Sequence, residues 1–241
     1  VLTDENGMPL EGAMLAQKMN EVFQQKLEAI QSARAERQTK EKPNSGLVAL
    51  VQEGAANVRG KKGGVVSLSV SQMFEAVKTA KNSFQRQMFH SALSALRKSG
   101  YTFHFGTREE LVKLRETLSP GIDQALDLGQ TDPDGKHIYI ASATTETALH
   151  ETIHAATIDK VFSAVTAPES VTQAVREAVD RLGLLMEEFM GFDFNQLAGD
   201  QAGIQAQKTI NGHLKKGTEA GRAYAINEFM AWSMSNQQLI E

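Results

Sequence analysis

At 241 residues and 41% hydrophobic content, the chain can bury the core of one large domain, or of one domain with an appendage. A formal net charge of −4 gives no sign of a general nucleic-acid-binding surface, and no apolar run approaches the roughly 18 residues that would span a membrane. Cysteine is absent, which excludes disulfides and thiolate-held zinc and leaves histidine and carboxylates as the strong metal ligands.

The first residues, Val1 to Gly7, have neither a basic nor an apolar segment of the signal-peptide kind, and no initiator Met. The expectation is a chain that is processed or cut from something longer, cytoplasmic or virion-associated. Residues 10–36 read as a helix with Leu15, Met19, Val22, Phe23, Leu27 and Ile30 on one stripe, followed by a polar linker to Gly46. Leu47 to Gln52 is a short apolar run of no clear type. Arg59 to Gly64 is a basic glycine-rich loop without the Gly-Lys-Ser/Thr ending of a P-loop, so it reads as a solvated turn.

Val65 to Val70 fits a strand. Ser69 and Gln72 have capping-box spacing, and one long helix is expected from there to Lys98, with Met73, Val77, Ala80, Phe84, Met88, Ala92 and Ala95 inward. His90 lies off that stripe, as a surface residue. Tyr101 to Phe105 alternates as a strand, with His104 facing away from Phe103 and Phe105 and read as solvated. Thr107 to Leu118 reads as a helix. Asp132-Pro133-Asp134-Gly135 is a turn leading into a strand from His137 to Ala141, read as an edge able to pair with an extended peptide.

The segment that follows carries the chemistry. Leu149-His150-Glu151-Thr152-Ile153-His154-Ala155-Ala156 contains His-Glu-x-x-His, with Leu149, Ile153 and Ala156 forming a helical apolar back. On a helix His150 and His154 stand one turn apart on the same side, able to share a zinc ion, and Glu151 can reach a metal-bound water without being a ligand. The bland alternative is a surface helix with two ordinary histidines. With six histidines in the chain, the motif arises by chance on the order of one time in a hundred.

Beyond it, Thr166 and Glu169 fit another capping box. A core helix is expected with Val171, Val175, Ala178, Leu182, Leu185 and Phe189 in register, stopped by Gly191. Asp193 to Asp200 reads as a loop and Ile204 to Leu214 as a shorter helix. Thr218 caps the last helix, which carries Tyr224, Glu228, Ala231 and Trp232.

A catalytic zinc usually takes three protein ligands and keeps one position open. Lys160 stands where a third metzincin histidine would be. Asp159 lies five residues past His154, roughly 140° around the helix, and cannot turn back. Glu228 is the best candidate. Phe229, Met230 and Trp232 argue for burial, where an unpaired carboxylate is costly, and Ala231 and Ser235 would let its helix come close. Glu219, His213, Glu187, Glu188, Asp193 and Asp200 remain as alternatives.

His-Glu-x-x-His on one helix and Asn227-Glu228-Phe229-Met230-Ala231 on a later one resembles the gluzincin branch of the zincin metallopeptidases. More narrowly, it is similar to the metallopeptidase domains assigned to large polyvalent phage proteins. The resemblance covers about Tyr101 to Asn236. It implies Zn2+ held by His150, His154 and Glu228, with Glu151 as general base. It also departs from the pattern: the acidic residue that supports a zinc histidine in many gluzincins is Trp232 here, so that support must come from elsewhere.

The expectation is thus a zinc-dependent endopeptidase acting on a protein or peptide substrate. Tyr224, or His213 less favoured, would be the second donor at the reaction centre. The competing expectations are a non-catalytic structural or interaction module with a vestigial or structural metal site, and a toxin-like protease. Partners would be other domains of a parent phage or mobile-element protein, with no membrane and no nucleic acid. The expected fold is α+β, mostly α: a zincin-like domain with a small sheet beside the metal helix. Residues 1–45 form a helical arm and linker, 46–100 a helical subdomain, and 101–241 the metallopeptidase domain.

Overall fold

The computed structural model describes residues 64–78, 83–120, 126, 128–141, 144–194 and 201–236. The expected helix over 10–36, its linker, the run at 47–52, all of the glycine-rich loop but Gly64, and Asp200 lie outside the described residues.

The expected class holds: the described residues are mostly helical with one small sheet. Its strands are β1 (Val66–Ser69), β2 (Thr102–Phe105), β3 (Gly129–Asp132) and β4 (His137–Ile140), in the order β1-β2-β4-β3. β1 is antiparallel to β2, β2 parallel to β4, and β3 antiparallel to β4. The register puts Val66 and Leu68 opposite Phe105 and Phe103, which oppose Ile140 and Ile138. Side chains alternate along a strand, so these six share one face, and all are buried in the main core.

Seven α-helices appear among the described residues: α1 (Val70–Val77), α2 (Ser83–Leu96), α3 (Arg108–Leu118), α4 (Thr145–Thr166), α5 (Gln173–Gly191), α6 (Gln201–Leu214) and α7 (Glu219–Ser235). Most begin at a residue whose side chain satisfies a free helical N–H. Ser69 and Thr107 close capping boxes with Gln72 and Glu110, and Thr144, Thr172 and Thr218 cap α4, α5 and α7. α1, α2 and the first half of α4 cover the apolar face of the sheet. α5, α6 and the second half of α4 enclose a second cluster around Val161, Met186, Ile210 and Ile226. α7 contributes to both, through Met230 and Ala231 on one side and Ala225 and Phe229 on the other.

Several expectations are corrected. The single helix to Lys98 is two helices packed on each other, because α1 ends with a C-cap at Lys78. The buried stripe of α2 is Phe89, Ala92, Leu93 and Leu96 rather than one ending in Ala95. Thr166 closes α4 instead of opening the next helix. On α5 the buried residues are Val179, Gly183 and Met186, and Leu185 is exposed, so that helix lies on the surface of its cluster. β3 was not foreseen: Gly-Gln-Thr-Asp has little strand propensity and is held by pairing with β4. Its presence makes β4 an inner strand, and β3 becomes the edge nearest the metal helix.

His104 is also corrected, from solvated to 4% exposed. The second face of the sheet is polar yet covered by α3 and Leu126, which pack on Tyr139. Every polar group named on it has a partner. Ser67 Oγ lies 2.8 Å from His104 Nδ1, His104 Nε2 lies 3.0 Å from His137 Nδ1, and Tyr139 Oη lies 2.8 Å from Ser119 Oγ, which in turn donates to Asp132. Such a face is tolerated only because these bonds replace lost water. Sequence alternation showed His104 opposite the aromatic face, but nothing local announced the helix above it. His90, read as a surface residue, is exposed.

Burial, reinforced by the neighbouring His137, pulls the His104 imidazole down to about 4. The unfolded chain has its ordinary value of about 6.5. Stability associated with His104 is therefore complete above about pH 6.5. It is lost as the pH falls toward 4, because only the unfolded chain takes up the proton, at a cost of roughly 3 kcal/mol. Urea unfolding at neutral pH and at about pH 4 should show this loss in the wild type, with a clearly shallower loss in His104→Gln. An equal loss in both would remove His104 as its source.

Candidate metal centre

α4 presents His150 and His154 one turn apart, and their Nε2 atoms stand 3.0 Å from each other. α7 crosses beside them. Ala231 is fully buried and Ser235 nearly so, and the absence of bulk there permits the close approach expected from the sequence. Glu228 Oε2 lies 3.6 Å from His150 Nε2, and Glu228 Oε1 lies 3.5 Å from His154 Nε2. The three residues offer ligand atoms that all lie within 4.8 Å of one another. A tetrahedral zinc with bonds of about 2.0–2.2 Å has ligand-to-ligand edges of about 3.3–3.6 Å. The observed spacings bracket those edges, and two imidazoles with one carboxylate form a donor set that suits zinc. The residues therefore fit the ion.

The side chains are also oriented. His154 Nδ1 bonds to Asn227 Oδ1, whose Nδ2 donates to Thr157 Oγ1 at 2.8 Å; that hydroxyl donates to the Ile153 carbonyl at 2.6 Å. Because the Asn227 amide nitrogen is committed to Thr157, its oxygen faces the imidazole. That keeps a proton on His154 Nδ1 and leaves Nε2 as the nitrogen that faces the centre. His150 has a longer contact, 3.4 Å from Nδ1 to Ser235 Oγ, and the Trp232 ring stands edge-on at 5.2 Å. The support missing at Trp232 is thus supplied by Asn227 and Ser235. Sequence reading missed Asn227 and Thr157 as orienting residues. The available signal was an amide adjoining the third ligand and a hydroxyl three residues after His154.

Glu151 is held from the sheet. Thr131 Oγ1 lies 2.9 Å from Glu151 Oε2 and 3.0 Å from the Glu151 carbonyl. Gly129 is required here: a Cβ at that position would stand 2.6 Å from Glu151 Cγ. The edge strand therefore fixes both the place and the rotamer of Glu151. These groups line one cleft of about 1150 Å3, with β3 and α4 on one wall and His213, Lys216 and Tyr224 on the other. Tyr224 is 41% exposed, its ring stacked on His213 at 5.6 Å and edge-on to Phe162.

The other third-ligand alternatives are placed elsewhere. Glu187 pairs with Arg222 at 3.0 Å, and Glu188, Asp193 and Glu219 are exposed and outside the cluster. His213 comes nearest, its Nε2 3.9 Å from Glu228 Oε1.

The electrostatics centre on Glu228. Burial would push its carboxyl up, but His154 and His150 outweigh that and hold it well below the usual range. Burial would likewise lower His154, yet the Glu228 charge and hydrogen bond, aided by Glu151 and Asn227, raise it to about 9. A proton on His154 thus does, without metal, part of what a cation would do.

Comparison with known proteins bears on the reaction. No protein-family model matches the chain, and no solved structure matches it. The chain is similar to the virion DNA-directed RNA polymerase of Enterobacteria phage N4, at 29% identity over 242 residues. The match covers 93% of this chain and spans 7% of the relative's length. This overturns the endopeptidase expectation, with its hydrolase and metalloprotease labels: the similarity runs to a nucleic-acid polymerase and gives no support to a peptide substrate. It also runs against the expectation that nucleic acid is not a partner. The expectation failed because His-Glu-x-x-His spacing speaks only to where metal ligands could stand and leaves the reaction open. A phage setting agrees with that relative, and no described helix is long and apolar enough to cross a membrane.

In the metal-free protein the His154 ring should titrate near 9 by NMR. In Glu228→Gln the charge that opposes burial is gone, so the value should fall back toward the ordinary histidine range. A ring that stays near 9 in that variant would remove Glu228 as the cause.

Proposed function

We propose that this chain is a zinc-binding segment of a large virion-carried phage protein, one that serves a transcribing enzyme and works in the presence of nucleic acid. The observation that carries the reading is the 29% identity extending over 93% of the chain while spanning 7% of a virion DNA-directed RNA polymerase. The segment is accordingly one part of a much longer working unit.

His150, His154 and Glu228 hold the ion in this reading. Glu151, buried and fixed by Thr131, lines the cleft beside the site, where its carboxylate would accept from a hydrogen-bond donor. Tyr224 forms the far wall. Bound zinc would tie α4 to α7 and polarise an oxygen donor at its remaining position. Nucleotidyl transfer as such calls for hard ions held by oxygen ligands. The cluster found among the described residues carries two imidazoles and one carboxylate, a different donor set. The proposed role is therefore to accompany polymerisation and not to perform it. The resemblance to zincins, on this reading, lies in how the ion is held.

Two measurements test the proposal. Metal analysis of the purified protein should give about one zinc per chain, absent or much weakened in Glu228→Ala. Asn227→Ala, which frees the His154 ring, should weaken zinc by about 10–100-fold. Since His154 must give up its proton to bind, apparent affinity should drop about tenfold for each pH unit below 9. Wild-type protein that takes up no zinc would end the metal reading. Mass spectrometry of purified phage particles should find peptides of this chain joined to polymerase sequence; their absence from particles would end the virion reading.

A further inference from the structure

His213 is a polar group at the site that the proposed ligand set does not use. It sits in the last turn of α6, and its ring reaches Glu228 from that helix. Glu228 Oε1 stands 3.5 Å from His154 Nε2 and 3.9 Å from His213 Nε2, so a single carboxylate oxygen faces both rings. The second distance exceeds a tetrahedral zinc edge by only about half an ångström. The backbone at that corner is fixed, because a Cβ on Gly221 would meet the His213 carbonyl at 2.7 Å. The side chain is not. His213 Nδ1 is buried without a hydrogen-bond partner, and the ring rests on Tyr224, itself 41% exposed.

From this we infer that His213 is a fourth, exchangeable ligand of the metal held by His150, His154 and Glu228. The inference rests on the zinc reading above and adds what occupies the remaining position. His213 lies outside the cluster of three whose ligand atoms are all within 4.8 Å of one another, so its ring must swing inward to bring Nε2 onto the ion when the cleft is empty, giving a site closed by three imidazoles and one carboxylate. His154 and His150 are anchored through Asn227 and Ser235, whereas the second nitrogen of His213 has no anchor. Ligating histidines normally have that support. His213 is therefore the weakest of the four and the one displaced when an oxygen donor enters along β3.

X-ray absorption on the zinc-loaded full chain counts the imidazoles directly, alongside zinc affinity by competition with a chelator. The expected result is three imidazoles in the wild type and two in His213→Ala. Affinity should fall by less than about tenfold in His213→Ala and by more than about a hundredfold in Glu228→Ala. Two imidazoles in the wild type would overturn the inference while leaving the zinc reading intact, and that count stands even if the variant fails to fold. A loss in His213→Ala as large as in Glu228→Ala would overturn the exchangeable character. No zinc in the wild type would overturn both readings together.

Discussion

Glu228 facing two imidazoles across a helix pair is the constraint on which the site and its surroundings depend. A carboxylate buried to this degree cannot stay charged without a cation beside it. In the protein as described, His154 supplies that cation by keeping a proton well above the usual histidine range. The arrangement then dictates its neighbours. Helix α7 must come close, so Ala231 and Ser235 are small on the side that meets α4. The His154 ring must not turn, so Asn227 takes its Nδ1 and Thr157 takes the Asn227 amide. A metal replacing the proton would find its ligands already aimed.

The parts of this site legible in the sequence are those that a single helix fixes. His150 and His154 share a side of α4 because four residues make one turn, and no tertiary contact is needed to know it. Glu228 was reached by an argument about burial, since apolar neighbours leave a carboxylate no cheap alternative to a partner. The caps at Ser69 and Thr218 are similarly local. What stayed hidden was whatever depended on a surface arriving from elsewhere. β3 exists because β4 offers it a ladder. His104 is buried because α3 crosses the polar face. Asn227 has a role because Thr157 stands opposite it, seventy residues away.

The reaction was hidden for a different reason. Motif spacing encodes where ligands go, and ligands are compatible with many chemistries and with none. Peptide hydrolysis was attached to the site through resemblance, and a relative that is a virion RNA polymerase points away from it. That relative's activity belongs to a protein of which this chain spans 7%, so the polymerase name describes that whole protein and not these residues.

The position of the site in the fold suggests why a metal would be useful in such a setting. The first half of α4 lies in the cluster that covers the sheet, through Leu149 and Ile153, and its second half lies in the cluster with α5 and α6, through Val161. α7 is also divided, in the reverse order, and Glu228 falls among its residues of the second cluster, between Ile226 and Phe229. His150 and His154 stand among the first-cluster residues of α4, so an ion shared with Glu228 would link one cluster to the other. A bond there joins parts that otherwise meet through side-chain packing on shared helices. β3 adds a third attachment, because Thr131 holds both the carbonyl and the carboxylate of Glu151. An ion at this point would stiffen the sheet edge, α4 and α7 against one another. On the proposed reading, a segment carried inside a particle and then put to work in a long polypeptide would gain from such a clamp, which would add stability without enlarging the core.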